Sequence, residues 1–173
     1  MAQFGRKPAE ILVIGGAVLA ADQLTKALVR TYLPPGASFP ADWPVRLTHV
    51  TNTGAAFGLL TNQSLLLTFV AFFAIGLIIY YYRKAPNGAW PLRVALGLQL
   101  GGAVGNLIDR LRQGYVTDFI DLRFWPVFNV ADSAISIGAV LLAVSLLWPD
   151  LLARSGGQAD HAAASAGDHP SEG

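Results

Sequence analysis

Residues 64–82 read SLLLTFVAFFAIGLIIYYY, an uncharged run with Gln63 before it and Arg83-Lys84 after it. Crossing a bilayer takes about 20 residues of helix, and this run meets that need. Three other stretches share its character, roughly Ala9 to Val29, Leu92 to Ile108 and Ala131 to Trp148. The whole composition agrees: of 173 residues, 53% are hydrophobic and 13% charged. Ordinary soluble domains carry about 25% charged residues, and the mean hydropathy here is +0.46. The expected fold class is an all-α membrane protein with four transmembrane helices.

Short connections join the spans except between the first two. There, Arg30 to Gln63 holds prolines, glycines and the alternating piece Val45-Arg46-Leu47-Thr48-His49-Val50. Such alternation suggests a short strand at the membrane surface. After Asp150 the chain turns to Ser, Gly, Ala and His, a composition that cannot bury enough apolar surface to fold alone. The expected organisation is a membrane domain over 1–153 and a disordered polar tail over 154–173. Arg6-Lys7 ahead of an apolar run, with Leu19-Ala20-Ala21 behind it, would also suit a cleaved signal peptide. The apolar face continues through Leu24, Ala27, Leu28 and Val29, which favours a retained span.

Four spans put both termini on one side. That side collects Arg6, Lys7, Arg83, Lys84, Arg93 and Arg154; the other collects Arg30, Arg46, Arg110, Arg112 and Arg123. Arg110, Arg112 and Arg123 run among Asp109, Asp118 and Asp121, which can hold them, so cytoplasmic termini are expected.

Twelve Lys/Arg against eleven Asp/Glu leave a net charge of +1, which gives no electrostatic case for nucleic acid. With no cysteine there are no disulfides or thiolate metal sites. Two of the three histidines, His161 and His169, sit in the tail and only His49 lies in the body. Metal and Ser/His chemistry are poorly supplied, and neither metal nor cofactor is expected.

The carboxylates are the informative residues. Charged groups at mid-bilayer cost about 2.5–3.5 kcal/mol on insertion scales, so they usually face a polar interior and mark function. Asp22 and Lys26 stand four apart on one face of the first span. They suit a self-neutralising pair that lets the helix insert, or a support beside an active site. Asn106-Leu107-Ile108-Asp109-Arg110 ends the third span, and Asn129-Val130-Ala131-Asp132-Ser133 opens the fourth. Each sets an amide three residues before a carboxylate, on one face of a turn. Capping alone would explain the second copy. It does not explain the first, which stands at a helix end where negative charge is disfavoured. Antiparallel spans bring both copies to the same membrane face.

Between them, Val116, Phe119 and Ile120 give Asp118 an apolar setting. Burial and a nearby carboxylate both raise an aspartate's pKa, and two close aspartates can share one proton as general acid and base. From this segment alone, a solvated loop of arginine-paired aspartates is the better-supported reading. Asn52-Thr53-Gly54-Ala55-Ala56-Phe57-Gly58 reads as a turn before a helix whose free backbone donors could hold an extended peptide. Gly97, Gly101 and Gly105 share a helix face and suit close helix packing.

Five blocks, Asp22-Gln23-Leu24-Thr25-Lys26, Asn52-Thr53-Gly54-Ala55-Ala56-Phe57, Gly105-Asn106-Leu107-Ile108-Asp109-Arg110, Val116-Thr117-Asp118-Phe119 and Phe128-Asn129-Val130-Ala131-Asp132-Ser133, resemble lipoprotein signal peptidase, also called signal peptidase II. They follow the family's order and cover about Ile11 to Leu147. The resemblance implies a four-helix aspartyl endopeptidase of the bacterial inner membrane with a small extracytoplasmic β-rich cradle. Such an enzyme cuts diacylglyceryl-modified prolipoproteins just before the lipidated cysteine. It implies Asp118 and Asp132 as the catalytic pair. Asn52, Gly54, Asn106, Asp109, Arg110, Asn129 and Ala131 would line or order the site, supported by Asp22 and Lys26. Asp109 competes with Asp118, but Arg110 beside it is expected to keep it ionised. Thr117 departs from the family's usual apolar residue, the segment from Asp118 to Asp132 is short for a flap, and the tail has no counterpart.

The expected partners are those precursors and membrane lipid, with the enzyme a monomer. A small transporter or proton channel with a carboxylate relay is the alternative, but it would spread its carboxylates near the midplane. A non-catalytic assembly factor built on the glycine face is a third reading.

Overall fold

The computed structural model describes residues 7–54, 63–85 and 89–147. Its elements run α1 (Lys7–Tyr32), β1 (Ser38–Phe39), β2 (Arg46–Asn52), α2 (Gln63–Lys84), α3 (Trp90–Gln113), β3 (Val116–Asp121) and α4 (Val130–Leu147). The tail and residues Ala55 to Gly58 of the turn motif lie outside the described residues.

Among the described residues, three helices are long and apolar enough to cross a membrane: Ala9–Tyr32, Ser64–Lys84 and Val130–Leu147. The expected third span is a helix, but its composition does not mark it as a crossing. The reason is its position. α3 is the central helix, packed against α1, α2 and α4, so its surface is matched to protein rather than lipid. Glycines allow that packing: a Cβ on Gly101 would meet the Gly15 carbonyl oxygen at 2.5 Å, and one on Gly102 the Ala131 oxygen at 2.5 Å. The Gly97, Gly101 and Gly105 face lies on α1, against Ile14, Gly15 and Asp22.

Burial is inverted relative to a water-soluble protein. Phe73 is 70% exposed and Val13 also 70%, whereas Asp22, Lys26 and Asn129 are 0% exposed. Apolar outer faces around a polar interior are what lipid as solvent requires.

The three strands form one antiparallel sheet, in the order β1-β2-β3. The alternating piece around Leu47 is β2, running on to Asn52. The segment Val116–Asp121, read from sequence as a loop, is instead the strand β3. Its β-branched and aromatic residues carry that signal, which the two aspartates masked. Gly114, at φ 79°, ends α3 in a left-handed cap with its N–H on the Arg110 carbonyl, and the chain turns directly into β3.

A bulge interrupts the β2–β3 ladder. Leu47 pairs with Ile120 and Val50 with Asp118, so Thr48 and His49 together oppose Phe119. On one face of this stretch, Arg46 and Thr48 both bond Asp121. In an unbroken register Asn52 would share that face with Arg46 and Thr48. The extra residue moves it to the face of Asp118, because one residue of slip exchanges the two faces of a strand.

Candidate active site

Asp118 lies in β3 and is 1% exposed. Its Oδ1 accepts from Asn129 Nδ2 at 2.6 Å and its Oδ2 from Asn52 Nδ2 at 2.8 Å. The Asn52 amide is aimed by a turn: Gly54, at φ 79°, donates its N–H to Asn52 Oδ1 at 2.8 Å. Asp132 stands in the first turn of α4 and is half-buried. Its Oδ1 accepts from Asn106 Nδ2 at 2.8 Å and its Oδ2 from the Asn129 N–H at 3.2 Å, while its own N–H donates to Asn129 Oδ1 at 2.9 Å. This is a reciprocal helix cap. Capping and convergence on Asp118 are therefore roles of the same asparagine, not rival readings.

Behind this layer is a second, ionic one. Lys26 Nζ, 0% exposed, lies 2.9 Å from Asp22 Oδ2 and 3.0 Å from Asp109 Oδ2, and donates to Asn106 Oδ1 at 2.9 Å. Asp22 Oδ1 accepts from the Ala131 N–H at 3.0 Å, which ties α1 to the start of α4. The Asp22–Lys26 pair thus neutralises itself and also orders the layer above it. Asp109 is fully engaged by Lys26, by Arg30 at 3.6 Å and by the Thr117 N–H at 3.2 Å. Its cations are Lys26 and Arg30 from α1, not the adjacent Arg110, whose Nη1 reaches the Asn106 carbonyl at 3.5 Å. Asp118, by contrast, is held only by neutral amides.

Burial raises the Asp118 pKa to about 6, and the charge of Asp132 adds to the shift; the Asn52 and Asn129 bonds and Lys26 oppose it. Asp121 goes the other way. The Arg46 side chain, with the Arg123 N–H and Thr48, lowers it to about 2, so it serves as a strand clamp. The arginine paired with this segment is Arg46, 2.7 Å from Asp121, and not one of the expected Arg110, Arg112 and Arg123; of these, Arg123 contributes its backbone N–H to Asp121. His49 is buried with Nδ1 2.7 Å from the Leu33 carbonyl oxygen, a fold contact. Among the described residues, no group of three or more His, Cys, Asp or Glu could hold a metal ion.

Two openings flank the pair. One, of about 280 Å³, runs along the sheet between Val50, Asn52, Asp118 and the Pro126-Val127 segment. The other, of about 250 Å³, lies between α2, α3 and α4 and reaches Asn106 and Arg110.

A sequence model of the family described as Signal peptidase (SPase) II matches residues 14–148. The chain belongs to the signal peptidase II family. A lipoprotein signal peptidase of Moorella thermoacetica is 49% identical over 139 residues, 80% of this chain and 93% of that one. Another, of Pelotomaculum thermopropionicum, is 47% identical over 139 residues, 79% and 91% of the two chains. A solved structure of a bacterial membrane enzyme superposes with a TM-score of 0.74 at 33% identity, covering 80% of this chain and 92% of that one. This signal peptidase II is therefore a membrane-embedded peptidase, and neither the transporter nor the assembly-factor reading gains support.

All the residues expected at the signal peptidase II site gather at one end of the helices, around α3 and β3. Sequence reasoning missed three that join them. Gln23 Nε2 bonds both Asp22 and Asp109. Arg30 continues the Asp22, Lys26 stripe by one more turn to reach Asp109 and Thr117. Thr117, noted only as a departure, is 0% exposed and accepts from Arg30 Nη1 at 3.1 Å. The four-residue spacing from Lys26 to Arg30 was the available signal.

Proposed function

We propose that the chain is an aspartyl endopeptidase that removes the signal peptide of diacylglyceryl-modified prolipoproteins by cutting before the lipidated cysteine. Asp118 and Asp132 are its catalytic pair. One observation supports this above the others: both carboxylates bond to Asn129, one through its side chain and one through its backbone. Two carboxylates tied to one asparagine can act on the same water. A water between them attacks the scissile carbonyl as the ionised aspartate takes its proton, and the protonated one donates to the leaving amine. Asn52, Asn106 and Asn129 hold the carboxylate oxygens, and the Asp22–Lys26–Asp109 layer keeps Asn106 in place without adding net positive charge beside Asp118.

In this reading α3 also crosses the membrane, which makes four spans with α1, α2 and α4. The termini are cytoplasmic and the sheet forms an extracytoplasmic cradle at the inner membrane. The enzyme works as a monomer without cofactor. The precursor's apolar segment lies in the opening between α2, α3 and α4, and the residues about the cleaved bond extend along the sheet past Asn52. The test is cleavage of a lipid-modified precursor in membranes by Asp118→Asn and Asp132→Asn separately. Each loses turnover; near-normal cleavage by either ends the assignment.

A further inference from the structure

The opening between α2, α3 and α4 contains a polar side chain, Gln99, that is not among the expected site residues. Along α3, Gln99, Ala103, Asn106 and Arg110 line it. Steps of four, three and four residues keep them on one helical stripe. Across from them stand apolar residues, among them Val70, Ala74 and Ile78 of α2 and Ile135 of α4. Asn106 and Arg110 give the opening a polar end beside Asp132. Gln99 lies away from that end, among the apolar walls.

Its amide is an anomaly. Gln99 Nε2 is buried and has no hydrogen-bond partner among the described residues. The stem of the side chain packs closely on α4, where a Cβ on Gly138 would stand 2.7 Å from Gln99 Cγ; the glycine makes room for it. A donor left unmade in an apolar setting is costly, so an arriving acceptor is rewarded there more than in water.

We propose that Gln99 is a specificity-determining residue, donating from Nε2 to a Ser or Thr hydroxyl in the apolar segment of the precursor. This rests on the reading of the chain as a precursor-cleaving peptidase, with that segment in this opening. A hydroxyl is the matching group. The carbonyls of a helical segment are already bonded along the helix, whereas Ser and Thr oxygens keep a free lone pair. Leu, Ala and Val offer no acceptor. Gln99 precedes Asn106 by seven residues, about 10 Å along the helix axis. That distance corresponds to about seven precursor residues if they are helical up to the cleaved bond, and about three if they are extended.

The experiment uses the full-length enzyme in lipid nanodiscs and a lipid-modified precursor whose apolar segment contains only Leu and Ala. A single Ser is placed in turn at each position from three to eight residues before the cleaved bond. The wild-type enzyme is expected to show one favoured position, where KM falls about three- to tenfold relative to Ala, the scale of one net hydrogen bond. Gln99→Met keeps the length of the side chain and removes the donor, so its KM becomes indifferent to the position of the Ser. A flat wild-type profile overturns the inference, with no variant needed. An unchanged position preference in Gln99→Met overturns it as well. Cleavage of the Leu/Ala precursor with a flat profile sinks this inference alone, whereas no cleavage of any precursor sinks the peptidase reading with it.

Discussion

Asn129 donates to Asp118 at 2.6 Å from the same side chain that accepts the N–H of Asp132 at 2.9 Å. A residue that on helix-capping grounds would be interchangeable with Ser or Asp is thereby made specific: the amide accepts from the helix at Oδ1 and donates to a carboxylate from a separate Nδ2, whereas Asp has no donor and Ser has one shorter hydroxyl for both tasks.

Replacing Asn129 by Ser separates these roles. Ser is a good cap, so thermal unfolding is expected to stay within about 1 kcal/mol of wild type. Asp118 loses the shorter of its two amide donors and keeps Asn52, and cleavage falls by about 100-fold, the range of a poised acid–base pair. Parallel losses of stability and activity would mean that the asparagine is only a cap.

Asn52 acts on the same carboxylate from β2. Its hydrogen bond favours the ionised form of Asp118 and works against the burial that raises the pKa to about 6. In Asn52→Leu that opposition is gone. The limb of the pH–rate profile near 6 is expected to move to higher pH, as read from kcat/KM across pH 4 to 9. A limb that stays in place, or moves down, contradicts the assignment of Asp118 to it.

The same shift governs stability. An unfolded chain releases the Asp118 proton near pH 3.9, about the ordinary aspartate value, whereas the folded chain keeps it until about 6. The folded state therefore holds more protons between these values, and stability falls as pH rises through them. Asp121, lowered to about 2, has the opposite sign and loses its contribution as pH falls from about 4 toward 2. Unfolding temperatures measured in detergent should drop from pH 4 to pH 6 in the wild type, and the drop should shrink in Asp118→Asn. An identical drop in both proteins would place its origin elsewhere.

Lys26 is the one cation that contacts both Asp22 and Asp109 in the buried layer. Lys26→Met leaves Asp22 without its ion partner, a loss of about 3–5 kcal/mol for a broken buried pair. Denaturant titration of the variant in detergent reads this directly. A change below about 1 kcal/mol would show that the layer is wet and weakly coupled.

Much of this site is legible in the chain itself. The spans announce themselves by length and apolarity, and the repeated amide-x-x-carboxylate pattern marks Asn106 and Asn129 because capping accounts for only one copy. What sequence leaves open is what depends on register and distant packing. β3 hides behind its own aspartates, since Asp118 and Asp121 are unusual in a strand until their partners Asn52, Asn129 and Arg46 are in place. No periodicity in Val45 to Val50 indicates the bulge opposite Phe119, yet that bulge decides which face Asn52 takes. The partners of Asp109 were misjudged for a related reason: Arg110 is its neighbour along the chain, but Lys26 and Arg30 reach it through the α1–α3 contact. α3, read as a span from its apolar run, falls short of the other three helices in hydropathy because its polar residues face neighbouring elements.

The central claim is that Asp118 and Asp132 act as one unit on one water. The direct measurement is single-turnover cleavage of a lipid-modified precursor by Asp118→Asn, Asp132→Asn and the double variant, each checked for folding. Residues acting as a unit are non-additive, so the account predicts that each single change costs about 10³-fold or more and that the double costs no more than the worse single. Near-wild-type turnover in either single variant, or losses that multiply in the double, would contradict it.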